Sequence, residues 1–333
     1  MSDNFWDCLR LSDVTSLLVN ISLVKTFMTI RRKVTSGQTE LECLVIAVCG
    51  LFFLTSCKAL GKDGLVLMTD PSYKAAIFAT NKTGFSSPDG LLWRNGKLYL
   101  ADEGAGALEV WSKDGGLNTL FDSHSGAQSP EDLAIDKDGN IFFSDDDAGG
   151  VWEVDAMGKQ RLLAGKDKGL TSTEGIALTP DGSILVGDAD QHQVFQVTRA
   201  GAVSVYLGKD FGITKPESMT FDDKGNLYIA DNEDNVLYLL DTNRKLHRVI
   251  DRKDQFSPET IFYSKGSLYI TDSQAGKLYV YVPNEELRTI AAFGGQLKNI
   301  QGVTVDDQGD IYVSIQSDLK NKVGYIIKIS KES

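Results

Sequence analysis

The chain has 333 residues, with 34 basic against 46 acidic side chains and a formal net charge of -12. That length admits two ordinary domains, and an acidic balance without a basic stripe argues against nucleic acid as a partner. All four cysteines, Cys8, Cys43, Cys49 and Cys57, fall in the first 57 residues, so the rest of the chain has neither a disulfide nor a thiolate metal site.

The first feature along the chain is the apolar run Leu44 to Leu54 (LVIAVCGLFFL), preceded by Arg31, Arg32 and Lys33. The run is too short to span a bilayer comfortably and has the length of a signal-peptide core. Leu54-Thr55-Ser56-Cys57 follows. It resembles the lipobox of bacterial lipoproteins, in which cleavage before the cysteine leaves that residue, here Cys57, to carry lipid. Several acyl chains anchor a protein stably where one gives only marginal binding. The expectation is a leader over 1–57 and a tether over 58–72. The product would be a lipoprotein of the bacterial cell envelope facing the periplasm, membrane-bound only through its lipid. Residues 1–27 fit a signal peptide poorly, and Met28 is the better start.

From residue 73 onward the chain repeats itself. The copies open with PDGLLW (Pro88 to Trp93), PEDLAI (Pro130 to Ile135), TEGIAL (Thr173 to Leu178), PESMTF (Pro216 to Phe221), PETIFY (Pro258 to Tyr263) and IQGVTV (Ile300 to Val305). Their second residues, Asp89, Glu131, Glu174, Glu217, Glu259 and Gln301, are spaced by 42, 43, 43, 42 and 42. A period in the forties with several short strands per unit predicts a β-propeller, because one small sheet cannot bury its faces until neighbours stack around a ring. Within Pro130 to Gly165 the order is strand, DGN turn, strand, DDAGG turn, strand, AMGK turn, strand. The fold class is therefore all-β: a six-bladed propeller over 73–333 with four antiparallel strands per blade. The sixth unit lacks its fourth strand. Tyr73 to Thr80 (YKAAIFAT) matches the outer-strand pattern and is expected to supply it, closing the ring.

Two acidic columns run through the repeats. Asp102, Asp145, Asp188, Asp231 and Asp272, replaced by Ile315 in the last copy, end the second strands, where an Asp commonly accepts hydrogen bonds from loop N–H groups. The column Asp89, Glu131, Glu174, Glu217 and Glu259, with Gln301 in the sixth copy, opens the innermost strands and should converge on one mouth of the channel. Five carboxylates there repel one another and need a cation, protonation or intervening solvent. A hard divalent ion with oxygen ligands, Ca²⁺ before Mg²⁺, is one relief; a wet channel of turn-capping carboxylates is the other. His124 and His192 fall in loops on the same side. Trp93, Trp111 and Trp152 are expected between blades. No G-x-S-x-G elbow or H-E-x-x-H pair occurs in the ring.

The segment KPESMTFDDKGNLYIADNEDNVLYLL resembles an NHL repeat, and the six-unit array resembles the senescence-marker-protein/gluconolactonase/luciferin-regenerating-enzyme superfamily. That superfamily's metal site uses an acid in E-G-P-x-W in blade one, an Asn in blade four and an Asp in P-D-G in blade five. Asp89-Gly90-Leu91-Leu92-Trp93 matches the acid, Gly and Trp without the Pro, while Glu217 stands for the Asn and Glu259 for the Asp. The resemblance implies Asp89, Glu217 and Glu259 as metal ligands, Glu259 as base or nucleophile, and Glu174 at a substrate-binding position, with Glu131, Gln301, His124 and His192 around the mouth. It implies a divalent-metal-dependent hydrolase of a small lactone or ester; a monomer is the separate expectation for the chain. A non-catalytic propeller binding an envelope protein or a glycan is the alternative, and a strictosidine-synthase-like condensation enzyme a second.

Overall fold

The structure is a computed structural model and describes residues 27–35, 38–46, 56–59, 64–252, 256–295, 297–316 and 324–332. Six antiparallel sheets form the ring, each running from an inner strand outward. Blade one comprises Pro88–Arg94, Lys97–Asp102, Ala107–Ser112 and Gly116–Phe121. Blades two, three and four begin at Pro130–Ile135, Thr173–Leu178 and Pro216–Phe221, and each adds three strands in chain order. Blade five begins at Pro258–Ser264 and blade six at Ile300–Val305. Adjacent blades bury Val, Ile, Leu and aromatic side chains between them, as in the cluster that joins Leu278, Phe293 and Ile290 to Val303, Val313 and Ile327. Among the described residues no helix is long and apolar enough to cross a membrane.

The ring closes as its sequence predicts. Tyr73–Thr80 pairs with Tyr325–Lys331 as the fourth strand of blade six, with Ile327 opposite Ile77 and Ile329 opposite Ala75. Its Phe78 then stands edge-on to Trp111 of blade one at 4.7 Å and to Tyr312 of blade six at 5.1 Å, which ties the two ends of the array together. The other tryptophans do similar work: Trp93 stacks on Tyr312 at 5.0 Å, and Trp152 meets Phe121 across the seam between blades one and two.

The stretch expected as a tether is partly sheet. Gly64–Met68 adds a fifth strand to blade five by pairing with Arg288–Gly295, because GLVLM is apolar enough to bury Val66, Leu67 and Met68 along that edge. Ser56–Ala59, Gln38–Ile46 and Phe27–Thr35 continue the same sheet outward. The leader's Leu54 and Thr55, most of its apolar run, and residues 317–323 of the sixth unit lie outside the described residues.

What positions the site is a shared irregularity. In all six inner strands the register with the second strand slips immediately after the opening residue, as between Pro130 and Leu133 or Pro216 and Ser218. A bulge of this kind re-aims a side chain and increases local twist. The ring carboxyls sit on it. In blades one, three and six the next residue is Gly, because the neighbouring inner strands approach backbone to backbone there: a Cβ on Gly90 would stand 2.4 Å from the Glu131 carbonyl oxygen, and one on Gly302 2.2 Å from that of Asp89. In blades two and four the side chain at this position bridges the seam. Asp132 Oδ2 accepts from Ile176 N–H at 3.1 Å and Ser218 Oγ from Ile261 N–H at 3.2 Å.

Candidate functional site at the channel mouth

The strand-ending aspartates are scaffold. Asp102 accepts from the N–H groups of Ser86, Ser87 and Ala105, and Asp145 from those of Gln128, Ser129 and Ala148. Asp188, Asp231 and Asp272 do the same in their blades. Each thereby fixes the loop that enters an inner strand. In blade six Ile315 replaces the Asp, and Gln316 N–H keeps the main-chain bond to the Asn299 carbonyl that Asp146 makes to Ser129 and Ala189 to Ser172.

The inner column does converge. Glu174 and Gln301 are buried, while Asp89, Glu131, Glu217 and Glu259 are partly buried. Their interactions cross the channel. Loss of water raises Asp89 well above the ordinary carboxyl range, and Glu259 and Glu103 raise it further. Glu131 is raised in the same way, by burial and then by Asp89 and Glu174. Burial also lifts Glu217, with Glu174 and Glu259 adding to the effect and Lys215 opposing it. Glu174 is pushed up to about 7 by burial, against the pull of Lys215. Glu174 is thus populated in both protonation states at neutral pH.

Lys215 is the residue the repeat reading passed over. Its Nζ lies 2.8 Å from Glu217 Oε2 and 3.3 Å from Glu174 Oε1. Burial alone would lower its pKa, but Glu217 and Glu174 outweigh that and hold the ammonium above the ordinary lysine range. A signal was present in the sequence. The residues just before the inner strands are Ser87, Ser129, Ser172, Lys215, Ser257 and Asn299, and the single lysine marks blade four.

A second tier of polar groups follows the strand-ending column and was equally unread. Ser273 Oγ donates to Glu259 Oε2 at 2.6 Å, and Asn232 Nδ2 approaches the same oxygen at 3.4 Å. Gln316 Nε2 donates to Glu103 and lies 3.5 Å from Asp89 Oδ2. Ser129 Oγ donates to Glu131 Oε1 at 3.0 Å. Gln301 Nε2 reaches Gln316 Oε1 at 3.3 Å, while its own Oε1 is buried without a partner.

The histidines are less central. His124 is 92% exposed beside Asp122, and His192 Nδ1 rests against the Thr214 carbonyl in the loop leading to Lys215. Neither bonds a ring carboxyl among the described contacts. A surface cavity of about 230 Å³ lined by Val249, Asp251, Arg252, Tyr281 and Glu286 lies beside the outer strand of blade four and contains none of the predicted site residues.

The expected divalent-ion site can be tested against this arrangement. Asp89, Glu217 and Glu259 feel one another's charge, but Glu217 already carries the Lys215 ammonium. Among the described residues no three His, Cys, Asp or Glu side chains gather at ligand spacing. As arranged, these residues do not fit a three-carboxylate ion site.

Comparison with known proteins agrees with the fold. A profile of the strictosidine synthase-like N-terminal family matches residues 119–154, the outer strand of blade one through the third strand of blade two. No curated protein matches the chain. Among solved structures, a gluconolactonase from Xanthomonas campestris is 15% identical with a TM-score of 0.62, covering 90% of this chain and 100% of its own. Virginiamycin B lyase from Staphylococcus aureus is 14% identical with a TM-score of 0.60, covering 78% and 100%. A PQQ-bound aldose sugar dehydrogenase from Streptomyces coelicolor is 16% identical with a TM-score of 0.56, covering 79% and 99%. A lactonase, a lyase and a dehydrogenase share the ring, so the likeness establishes architecture and leaves chemistry to the site.

Proposed function

We propose that the channel mouth is the active site of a hydrolase acting on lactones or esters, with Glu174 and Glu259 as its working carboxyls. Glu174 carries this reading: a buried carboxyl at about 7, held beside a fixed ammonium, is populated in both protonation states at neutral pH, as a general acid–base group requires. Glu259 suits the partner role, since Ser273 and Asn232 fix its carboxylate plane. In the assigned reaction, water gives a proton to Glu259 while its oxygen adds to the carbonyl carbon. The tetrahedral oxyanion collapses, the acyl–oxygen bond breaks, and the leaving alkoxide takes the Glu174 proton. No step runs through a metal ion.

The test is a panel of sugar lactones and aryl esters followed by pH-stat. Wild-type turnover with a titration near pH 7 in kcat/KM is expected, and Glu174→Gln should remove that titration and cut the rate about 10²-fold or more. No turnover anywhere on the panel would leave a ligand-binding propeller. The match over residues 119–154, which includes Glu131, favours one second reading: condensation chemistry centred on a single channel glutamate. Under that reading Glu131→Gln, and not Glu174→Gln, abolishes activity.

We also place the chain in a bacterial envelope, lipidated at Cys57, on the strength of Leu54-Thr55-Ser56-Cys57. Cleavage there would remove Phe27–Thr35 and Gln38–Ile46 from the sheet edge of blade five. Intact mass of the native protein checks this, and an unmodified Cys57 would refute it.

A further inference from the structure

We infer that Lys215 is the channel's built-in counter-ion, occupying in this ring the electrostatic place that a bound divalent cation holds in a carboxylate-lined site. Two independent observations carry the inference. The first is geometric: one Nζ serves two inner-column carboxylates from adjacent blades, at 2.8 Å to Glu217 and 3.3 Å to Glu174. The second is the column itself, in which every other blade puts Ser or Asn immediately before the inner strand. Neither is needed for the fold, since Ser occupies the same loop position in four blades and those loops are held by their own strand-ending aspartates.

The loop around Lys215 is anchored with particular care. Asp231 accepts from Thr214 N–H at 2.7 Å, Thr214 Oγ1 at 2.8 Å and Lys215 N–H at 3.2 Å. The lysine's backbone is therefore fixed before its side chain reaches across to blade three. An ammonium has three donors. Nζ lies within ion-pair distance of Glu217 and Glu174, although Glu217 Oε2 has no aligned hydrogen-bond donor, and the side chain is 31% exposed at the mouth. An N–H of this ammonium is free to meet a ligand carbonyl or the oxyanion formed from it, the role a Lewis-acidic ion would otherwise fill. This rests on the mouth being the site of the proposed hydrolysis, but the ion-binding test below needs no substrate, so the two ideas can fail separately.

The experiment compares the full chain with Lys215→Ser, Lys215→Met and Lys215→Arg by thermal melting and calorimetric titration with Ca²⁺, Mn²⁺ and Mg²⁺. Wild type and Lys215→Arg should be indifferent to all three ions and to chelator. In Lys215→Ser or Lys215→Met the two carboxylates lose their cation. At least one ion should then bind with a one-to-one stoichiometry and raise the melting temperature by about 5 °C at a hundredfold excess over its dissociation constant. Adding Glu217→Gln to either variant should abolish that gain. Stoichiometric binding by wild type that is lost on Glu217→Gln overturns the inference. So does failure of every ion to shift the melting, or restore the folding, of both Lys215→Ser and Lys215→Met. If substrates are in hand, Lys215→Met should lower kcat about 10²-fold while Lys215→Arg retains part of it.

Discussion

Glu109 offers a direct test of the electrostatics of the ring. It lies on the third strand of blade one, where the corresponding residues of blades two to six are Trp152, Phe195, Tyr238, Tyr279 and Ile327. A carboxyl has taken an inter-blade position that is otherwise apolar. It is 5% exposed, its Oε2 has no hydrogen-bond partner, and burial followed by the neighbouring Asp102 charge pushes it up to about 7 from 4.5. The folded form therefore binds the proton more tightly than the unfolded chain. Stability from this group is full below pH 4.5, declines as pH rises through 7, and then levels off. At ~1.4 kcal/mol per unit, the ionised form costs the fold about 3 kcal/mol above pH 8. Glu109→Gln keeps the shape, removes the titration and can donate to Asp102. It should match wild type near pH 4.5 and exceed it by up to about 3 kcal/mol at pH 8, moving the urea midpoint by about 1 M. Tryptophan-monitored urea unfolding at both pH values measures this. A difference between the two proteins that stays constant with pH would refute the reasoning.

Three other outcomes follow from named contacts. Phe78→Ala removes the edge-on contacts to Trp111 and Tyr312 and should cost about 3 kcal/mol in denaturant unfolding, while deletion of Tyr73–Thr80 should abolish the cooperative transition. Gly175→Ala would place a Cβ 2.6 Å from the Glu217 carbonyl oxygen and 2.5 Å from Ser218 Cα. It should lower the melting temperature by several degrees and reduce activity more than a comparable change at Gly182, where a Cβ meets only Arg199 at 3.8 Å, because it displaces the strand that carries Glu217. Asp231→Ala frees Thr214 and Lys215 and should cost about 2–4 kcal/mol. Asp272→Ala should destabilise blade five similarly, and only the Asp231 variant should disturb the Glu174–Lys215–Glu217 contact, seen as a change in the pH dependence of activity.

The ring, its number of blades and its closing strand were legible because each is stated several times over by period, turn glycines and alternating strands. The two acidic columns were legible for the same reason: five repetitions of one residue type at one register announce themselves. What the columns do was not. The strand-ending aspartates and the inner carboxyls look alike in sequence, and only the bulge after the inner residue, invisible in composition, turns the second set toward the channel while the first bonds loop N–H groups. Gly64–Met68 was hidden differently. It belongs to no repeat, so periodicity is silent on it, although its apolar side chains needed a partner edge.

Lys215 marks the limit of reading for repetition. A repeat is found by what its copies share, and a site is often made by the position where one copy departs. Departure alone decides nothing: Gln301 and Ile315 also break their columns, and Ile315 simply leaves its loop with the main-chain bond, Gln316 to Asn299, that blades two and three have as well. Lys215 differs because its departure brings a charge opposite to that of the ring into contact with two ring members. The five-carboxylate column raised the question of what relieves its repulsion, and a metal ion was one answer that its chemistry suggested, with ligands named by resemblance. In this chain protonation relieves part of it, amides and hydroxyls from the second tier another part, and a covalently tethered ammonium supplies the fixed positive charge. A cation attached to the backbone cannot be removed by chelation, whereas an ion that takes its place in Lys215→Ser or Lys215→Met can. The chelator and the lysine variant therefore separate a tethered counter-ion from a borrowed one.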